Sequence, residues 1–174
     1  MSRPPLAERH PPRQLRRLDT PERGVLWLSA MPGRLGSWDE FLADVKRAPV
    51  DLVLCLTPRH EIERLSPDYA DALRRGDLPF EWWSLPMRDF GLHAELDDYA
   101  RRIDAVAERL RAGQGVLLHC AAGIGRTGTT AACVLMRLGL PTEDALQRVR
   151  AAGSNPESVL QSGLVERFGQ NRAT

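Results

Sequence analysis

One stretch concentrates the chemistry of this sequence: His119-Cys120-Ala121-Ala122-Gly123-Ile124-Gly125-Arg126-Thr127-Gly128. It follows an apolar run, Gly115 to His119, and opens a helical pattern. The first N–H groups of a helix have no partner within it, and the helix dipole favours negative charge there. Gly123 and Gly125 let the chain curl so that successive amides face inward as an anion nest, while Ala121 and Ala122 leave the bowl unobstructed. Arg126 supplies a planar fork that matches two phosphate oxygens, which lysine does less well. A cysteine at the foot of such a nest is expected as thiolate, because helix N-termini and nearby cations favour the anion. Residues 121–126 therefore read as a substrate-binding loop for a phosphate dianion, with Cys120 as the nucleophile at its base. The competing reading is a buried cysteine beside a glycine-rich turn.

An alkoxide or phenoxide leaving group needs a proton as the P–O bond breaks. Asp89, in Leu85-Pro86-Met87-Arg88-Asp89-Phe90-Gly91, follows an apolar run and precedes a helical pattern, so it falls on a loop. It is the candidate general acid, with Phe90 placed to shield the carboxyl and Gly91 to act as a hinge. A surface aspartate in a turn is the plainer alternative. Asp97 and Asp98 compete for the role but fall on the next helix as solvated positions.

The loop resembles the signature of the cysteine-dependent protein phosphatases: histidine-cysteine, five residues, then arginine followed by threonine or serine. The resemblance implies that Cys120 forms a phosphocysteine and that Arg126 holds the phosphoryl oxygens through both steps. It also implies that Thr127 donates a hydrogen bond to the departing thiolate and that His119 supports the loop without transferring protons. An aspartate on a loop at a similar separation from the cysteine belongs to the same pattern. Leu28-Ser29-Ala30-Met31-Pro32-Gly33, Cys55-Leu56-Thr57, the Asp89 loop and the final helix with Gln161 resemble the cyclin-dependent kinase inhibitor 3 (kinase-associated) phosphatases, within the dual-specificity branch. That branch lacks the recognition loop of the tyrosine-specific enzymes. The resemblance thus implies a shallower pocket open to phosphoserine and phosphothreonine as well as phosphotyrosine. Gln161 matches a polar position that orients water; the alternative is an exposed helix glutamine. Cys55 matches a cysteine that, in the phosphatase and tensin homologue, forms a reversible disulfide with the nucleophile; the alternative is a small apolar strand residue. Cys133 reads as packing.

These groups need a scaffold, and the sequence alternates strand and helix signals from Gly24 onward. Val25 to Ser29, Val50 to Leu56, Phe80 to Leu85 and Gly115 to His119 read as short buried strands, near-continuous in apolar residues as parallel strands are. Ser37 and Glu40 have capping-box spacing for a helix ending near Ala48. Thr57-Pro58 and Ser66-Pro67 each read as an N-cap followed by proline at the first helical position. Leu96, Tyr99, Ile103, Val106 and Leu110 make one face of a long helix. Helices are expected again at about 126–138, 142–152 and 156–168. The expected fold class is α/β: a three-layer sandwich with a mostly parallel sheet of four or five strands between helices. Residues 24–174 form the phosphatase-like domain. Residues 1–23, with five prolines and many arginines, read as a flexible leader or a surface arm.

The net charge of +1 gives no general attraction to nucleic acid or an anionic membrane. Three cysteines cannot all pair within one chain and lack metal-ligand spacing, and no apolar run is long enough to span a bilayer. The expectation is a cytoplasmic monomer with neither metal nor cofactor, acting on a phosphorylated protein and touching neither nucleic acid nor membrane. Two other readings remain: the same chemistry on a phosphoinositide, an RNA 5′-phosphate or a small phosphate, and a catalytically silent reader of phosphorylated residues. Alanine and isoleucine at 122 and 124, where phosphoinositide phosphatases tend to carry lysine, weaken the lipid version. Sulfur transfer of rhodanese type would leave Arg126, Thr127 and Asp89 without a role.

Overall fold

The apolar runs at Leu52–Cys55 and Gly115–His119 become central strands because each is buried throughout. A computed structural model describes residues 14–171. Five strands, β1 (Arg16–Leu18), β2 (Val25–Ser29), β3 (Leu52–Cys55), β4 (Glu81–Ser84) and β5 (Gly115–His119), form one sheet in the order β1-β2-β5-β3-β4. β2, β5, β3 and β4 are parallel; β1 alone pairs antiparallel, along the outer edge of β2. Every residue of the central β5 is buried, which explains its unbroken GVLLH.

Helices α1 (Trp38–Arg47), α2 (Arg59–Leu65) and α3 (Pro67–Arg75) cover one face, packing Phe41, Ile62 and Tyr69 onto Val53, Cys55 and Leu117. Helices α4 (Leu96–Arg111), α5 (Gly125–Arg137), α6 (Thr142–Ala151) and α7 (Val159–Gln170) cover the other, around Leu54, Leu118 and the buried stripe of α4. Burying each large apolar side chain of that stripe is worth about 1.5–3 kcal/mol before entropy is charged. The α/β sandwich anticipated from the sequence is the observed fold.

The details differ in instructive ways. Ser37 and Glu40 form the full capping box of α1. Pro67 opens α3, but the Ser66 hydroxyl donates to the carbonyl of Pro32 at 2.7 Å instead of capping its own helix. α2 begins one residue later than its proline suggests, with Pro58 as N-cap. α7 starts at Val159, where Ser158 accepts from the Gln161 amide, so 156–158 remain outside the helix. The leader needs correction: β1 lies inside residues 1–23, with Leu15 and Leu18 buried. Two apolar residues are too few to show a period in sequence; the free edge of β2 supplies the pairing. Residues 1–13, the remainder of the expected leader, lie outside the described residues.

Candidate active site

The chain leaves β5 at His119, midway between β2 and β3, and enters α5 at Gly125. Loops beyond the carboxyl ends of parallel strands form the usual ligand crevice of such sheets. Here the carbonyl groups of the loop are turned outward and taken up by the surroundings. Cys120 O faces His119 Nδ1, Ala121 O accepts from Met31 N, Gly123 O from Ser154 Oγ and Arg16, Ile124 O from Asn155 N, and Gly125 O from Thr129 Oγ1. The N–H groups of Ala121, Ala122, Ile124, Gly125 and Arg126 have no partner among the described residues. The loop is thus a bowl of free donors.

Gly123 makes the curl, at φ 75°, and a Cβ there would stand 2.5 Å from the backbone of Ser29. Gly125 has a different reason: a Cβ would press on Glu157 and the Gln161 amide oxygen. The Cys120 sulfur sits at the floor, 2% exposed, and receives the Gly123 N–H at 3.2 Å and the Thr127 hydroxyl at 3.0 Å. Two donors aimed at one sulfur are the arrangement an anion needs.

Above it lies a cavity of about 420 Å³, lined by Cys120, Ala121, Ala122, Gly125 and Arg126 from the loop. Asp89, Glu61, Arg34, Arg64 and Gln161 stand among its other walls. Gly123 turns its N–H to the Cys120 sulfur, and the Ile124 side chain points to solvent while its N–H belongs to the bowl.

Arg126 is 3% exposed and held end-on by a carboxylate that sequence reasoning missed. Its Nη1 and Nη2 donate to Glu61 Oε1 and Oε2, both at 3.0 Å, and Nη1 also donates to the Met87 carbonyl. Of five guanidinium N–H donors, those three bonds leave Nε–H and one Nη2–H. These two form the side fork, the geometry that grips two oxygens of one phosphate. Burial lowers the Arg126 pKa, but Glu61, Cys120 and Asp89 outweigh it and the net shift is upward.

Asp89 sits beside the bowl, its Oδ1 3.5 Å from Arg126 Nη2. The expected shielding by Phe90 is absent: the Asp89 side chain is 66% exposed and the Phe90 ring stands out in solvent. Phe90, not Gly91, takes the left-handed conformation, at φ 56°, which costs a non-glycine residue about 1–2 kcal/mol.

His119 lies beneath the loop, fully buried. A carbonyl only accepts, so Nδ1 carries the proton toward Cys120 O, and Nε2 accepts from the Tyr69 hydroxyl at 2.9 Å. Trp82 Nε1 in turn donates to Tyr69. Desolvation drives the His119 pKa down to about 4. Gln161 is buried, not exposed: its amide accepts from Glu157 N and donates to Gly91 O, tying α7 to the Asp89 loop. Cys55 packs in the core under α1–α3 and Cys120 in the core under α4–α7. The Cys55 thiol donates to Thr57 O, and burial pushes its pKa up to about 11. Cys133 is buried in α5, its pKa raised to about 12 by desolvation.

Besides Glu61, the sequence reading passed over Arg16, whose guanidinium bonds Gly123 O and Ala152 O and braces the loop from behind. Neither residue has a local signal; both act across more than sixty positions of chain.

The family model of the polymorphic toxin system DSP-PTPase phosphatases matches residues 32–140. The chain belongs to that family. It is a phosphatase of the dual-specificity and tyrosine phosphatase type. Among solved structures it resembles kinase associated phosphatase with its catalytic-site cysteine replaced by serine (18% identity, TM-score 0.76, covering 96% of this chain and 99% of that one). It also resembles Tk-PTP in its active form (27% identity, TM-score 0.66, 88% and 96%) and PTPMT1 in complex with PI(5)P (20% identity, TM-score 0.62, 90% and 98%). Among the described residues no helix is long and apolar enough to cross a membrane.

Proposed function

We propose that the protein hydrolyses phosphate monoesters of phosphorylated proteins, on tyrosine and on serine or threonine, through a phosphocysteine on Cys120. The observation that carries this reading is the pair of donors on the Cys120 sulfur at the floor of a bowl of free amides. In the first step the sulfur attacks phosphorus, an S–P bond forms, the P–O bond breaks, and Asp89 gives its proton to the leaving oxygen. Arg126 holds two phosphoryl oxygens with its side fork. In the second step water attacks phosphorus and passes a proton to Asp89. The S–P bond breaks and its electron pair returns to sulfur, where the Thr127 hydroxyl stabilises it. Gln161, buried at the cavity wall, orients that water. Glu61 and His119 act as positioning residues, one on Arg126 and one on the loop backbone. A silent reader would need neither the acid nor the hydroxyl behind the sulfur.

Arg34, Arg64 and His60 also line the cavity, and their side chains have no partner among the described residues. They favour a second reading, a compact substrate with an additional anionic group such as a phosphoinositide headgroup. Turnover of p-nitrophenyl phosphate in excess chelator, its loss in Cys120→Ser, and release of phosphate from phosphotyrosyl and phosphothreonyl peptides test the first reading. An unimpaired Cys120→Ser variant would overturn it. Soluble headgroup turned over in preference to every peptide would favour the second.

A further inference from the structure

Among the described residues five large apolar side chains stand exposed: Leu35, Phe90, Ile124, Val159 and Leu160. Of these, Phe90 lines the cavity over Cys120. Single exposed apolar residues scattered over a surface are ordinary, but two of these, Phe90 and Val159, line one groove, whereas Leu35 lines a separate cavity beside Asp44. Val159 is 90% exposed, and Phe90 holds its ring outward from a left-handed backbone. Between them runs an open groove of about 790 Å³, with Pro156 in its wall and Glu166 along one side. Phe90 and Glu157 line both this groove and the catalytic cavity, so the two form one continuous depression.

We propose that the groove binds the substrate's polypeptide next to its phosphorylated residue, taking an apolar side chain against Phe90, Pro156 and Val159 and a basic one against Glu166. The inference rests on the phosphatase reading above and deepens it. A small phosphate ends inside the cavity and has no use for a groove leading away from it; an extended chain must follow one. The apolar wall rewards burial of a leucine-sized side chain. The Glu157 and Glu166 carboxylates have no cationic partner among the described residues, which selects a positive charge on the occupant. An anionic lipid surface would meet those same carboxylates where its apolar contact had to form, so a peptide fits better than a bilayer.

The test uses the full chain and phosphopeptides in which leucine or arginine replaces alanine at each position flanking the phosphorylated residue. Leucine at one position should raise kcat/KM about tenfold, and arginine nearby should raise it further. Val159→Glu should erase the leucine gain and leave p-nitrophenyl phosphate turnover unchanged. Glutamate is well tolerated in a first helical turn, so α7 should remain folded. Glu166→Arg should invert the preference from arginine to glutamate. If the protein turns over p-nitrophenyl phosphate but gains nothing from leucine or arginine anywhere, the groove proposal fails and the phosphatase reading stands. If neither substrate is turned over, the phosphatase reading fails and takes the proposal with it. Equal loss on peptide and p-nitrophenyl phosphate in Val159→Glu would also overturn the groove. So would a loss confined to phosphatidylinositol phosphate in vesicles, which would assign the face to lipid.

Discussion

Glu61 holds Arg126 end-on, oxygen for nitrogen at 3.0 Å on both arms, and so reserves the side fork of the guanidinium for the substrate. Replacing Glu61 by glutamine keeps one bond and lets the fork rock. KM for p-nitrophenyl phosphate should rise about tenfold with a smaller change in kcat. Glu61→Ala leaves a buried guanidinium without its carboxylate and should cost about 3 kcal/mol in urea unfolding. A variant with wild-type KM and stability would show that the pair does not position Arg126.

The Thr127 hydroxyl reaches the Cys120 sulfur at 3.0 Å and matters most when sulfur departs from phosphorus. Thr127→Ala should slow breakdown of the phosphoenzyme by about 100-fold and leave its formation nearly intact. Rapid-quench kinetics would then show a burst of p-nitrophenol and a trapped phosphocysteine. Equal slowing of both steps would remove the hydroxyl from this role.

Asp89 stands beside the bowl on a loop that Gln161 ties to α7. Asp89→Ala should lower kcat on phosphopeptides by about 100-fold or more. The loss should be smaller with p-nitrophenyl phosphate, whose leaving group needs less protonation. Retained KM would make this variant a substrate trap for pull-down. A loss that ignores the leaving group would mean that Asp89 is not the acid.

Burial keeps His119 neutral, with its pKa near 4 against an unfolded value of about 6.5. The unfolded chain therefore takes up this proton first as pH falls. The stability that neutral His119 contributes is complete above about pH 6.5 and is lost as pH drops through 4. The difference is about 3 kcal/mol. His119→Gln should flatten that part of the stability profile, read as urea midpoints between pH 7 and pH 4. Identical slopes in both proteins would show that His119 titrates freely.

Much of this site is local in sequence. The β5 strand, the turn at Gly123 and the start of α5 are contiguous, so apolar pattern, glycine and helix signal appear together with Cys120, Arg126 and Thr127. Asp89 was legible because it interrupts the passage from a strand to a helix at a plausible distance. The groove residues were not, since Val159 and Glu166 read as ordinary helix positions until the surrounding chain left them facing one depression. Membership of a toxin-system family left no mark that these residues alone could reveal.

The sequence by itself determined the strand and helix pattern, the anion-binding loop and its nucleophile, because each depends on neighbours along the chain. Tertiary structure alone decided that Glu61 clasps Arg126, that Arg16 braces Gly123, that Gln161 is buried and that Cys55 and Cys120 pack into different cores. Those relationships cross sheet and helix layers. Their geometry comes from packing, for which a one-dimensional pattern carries no distance.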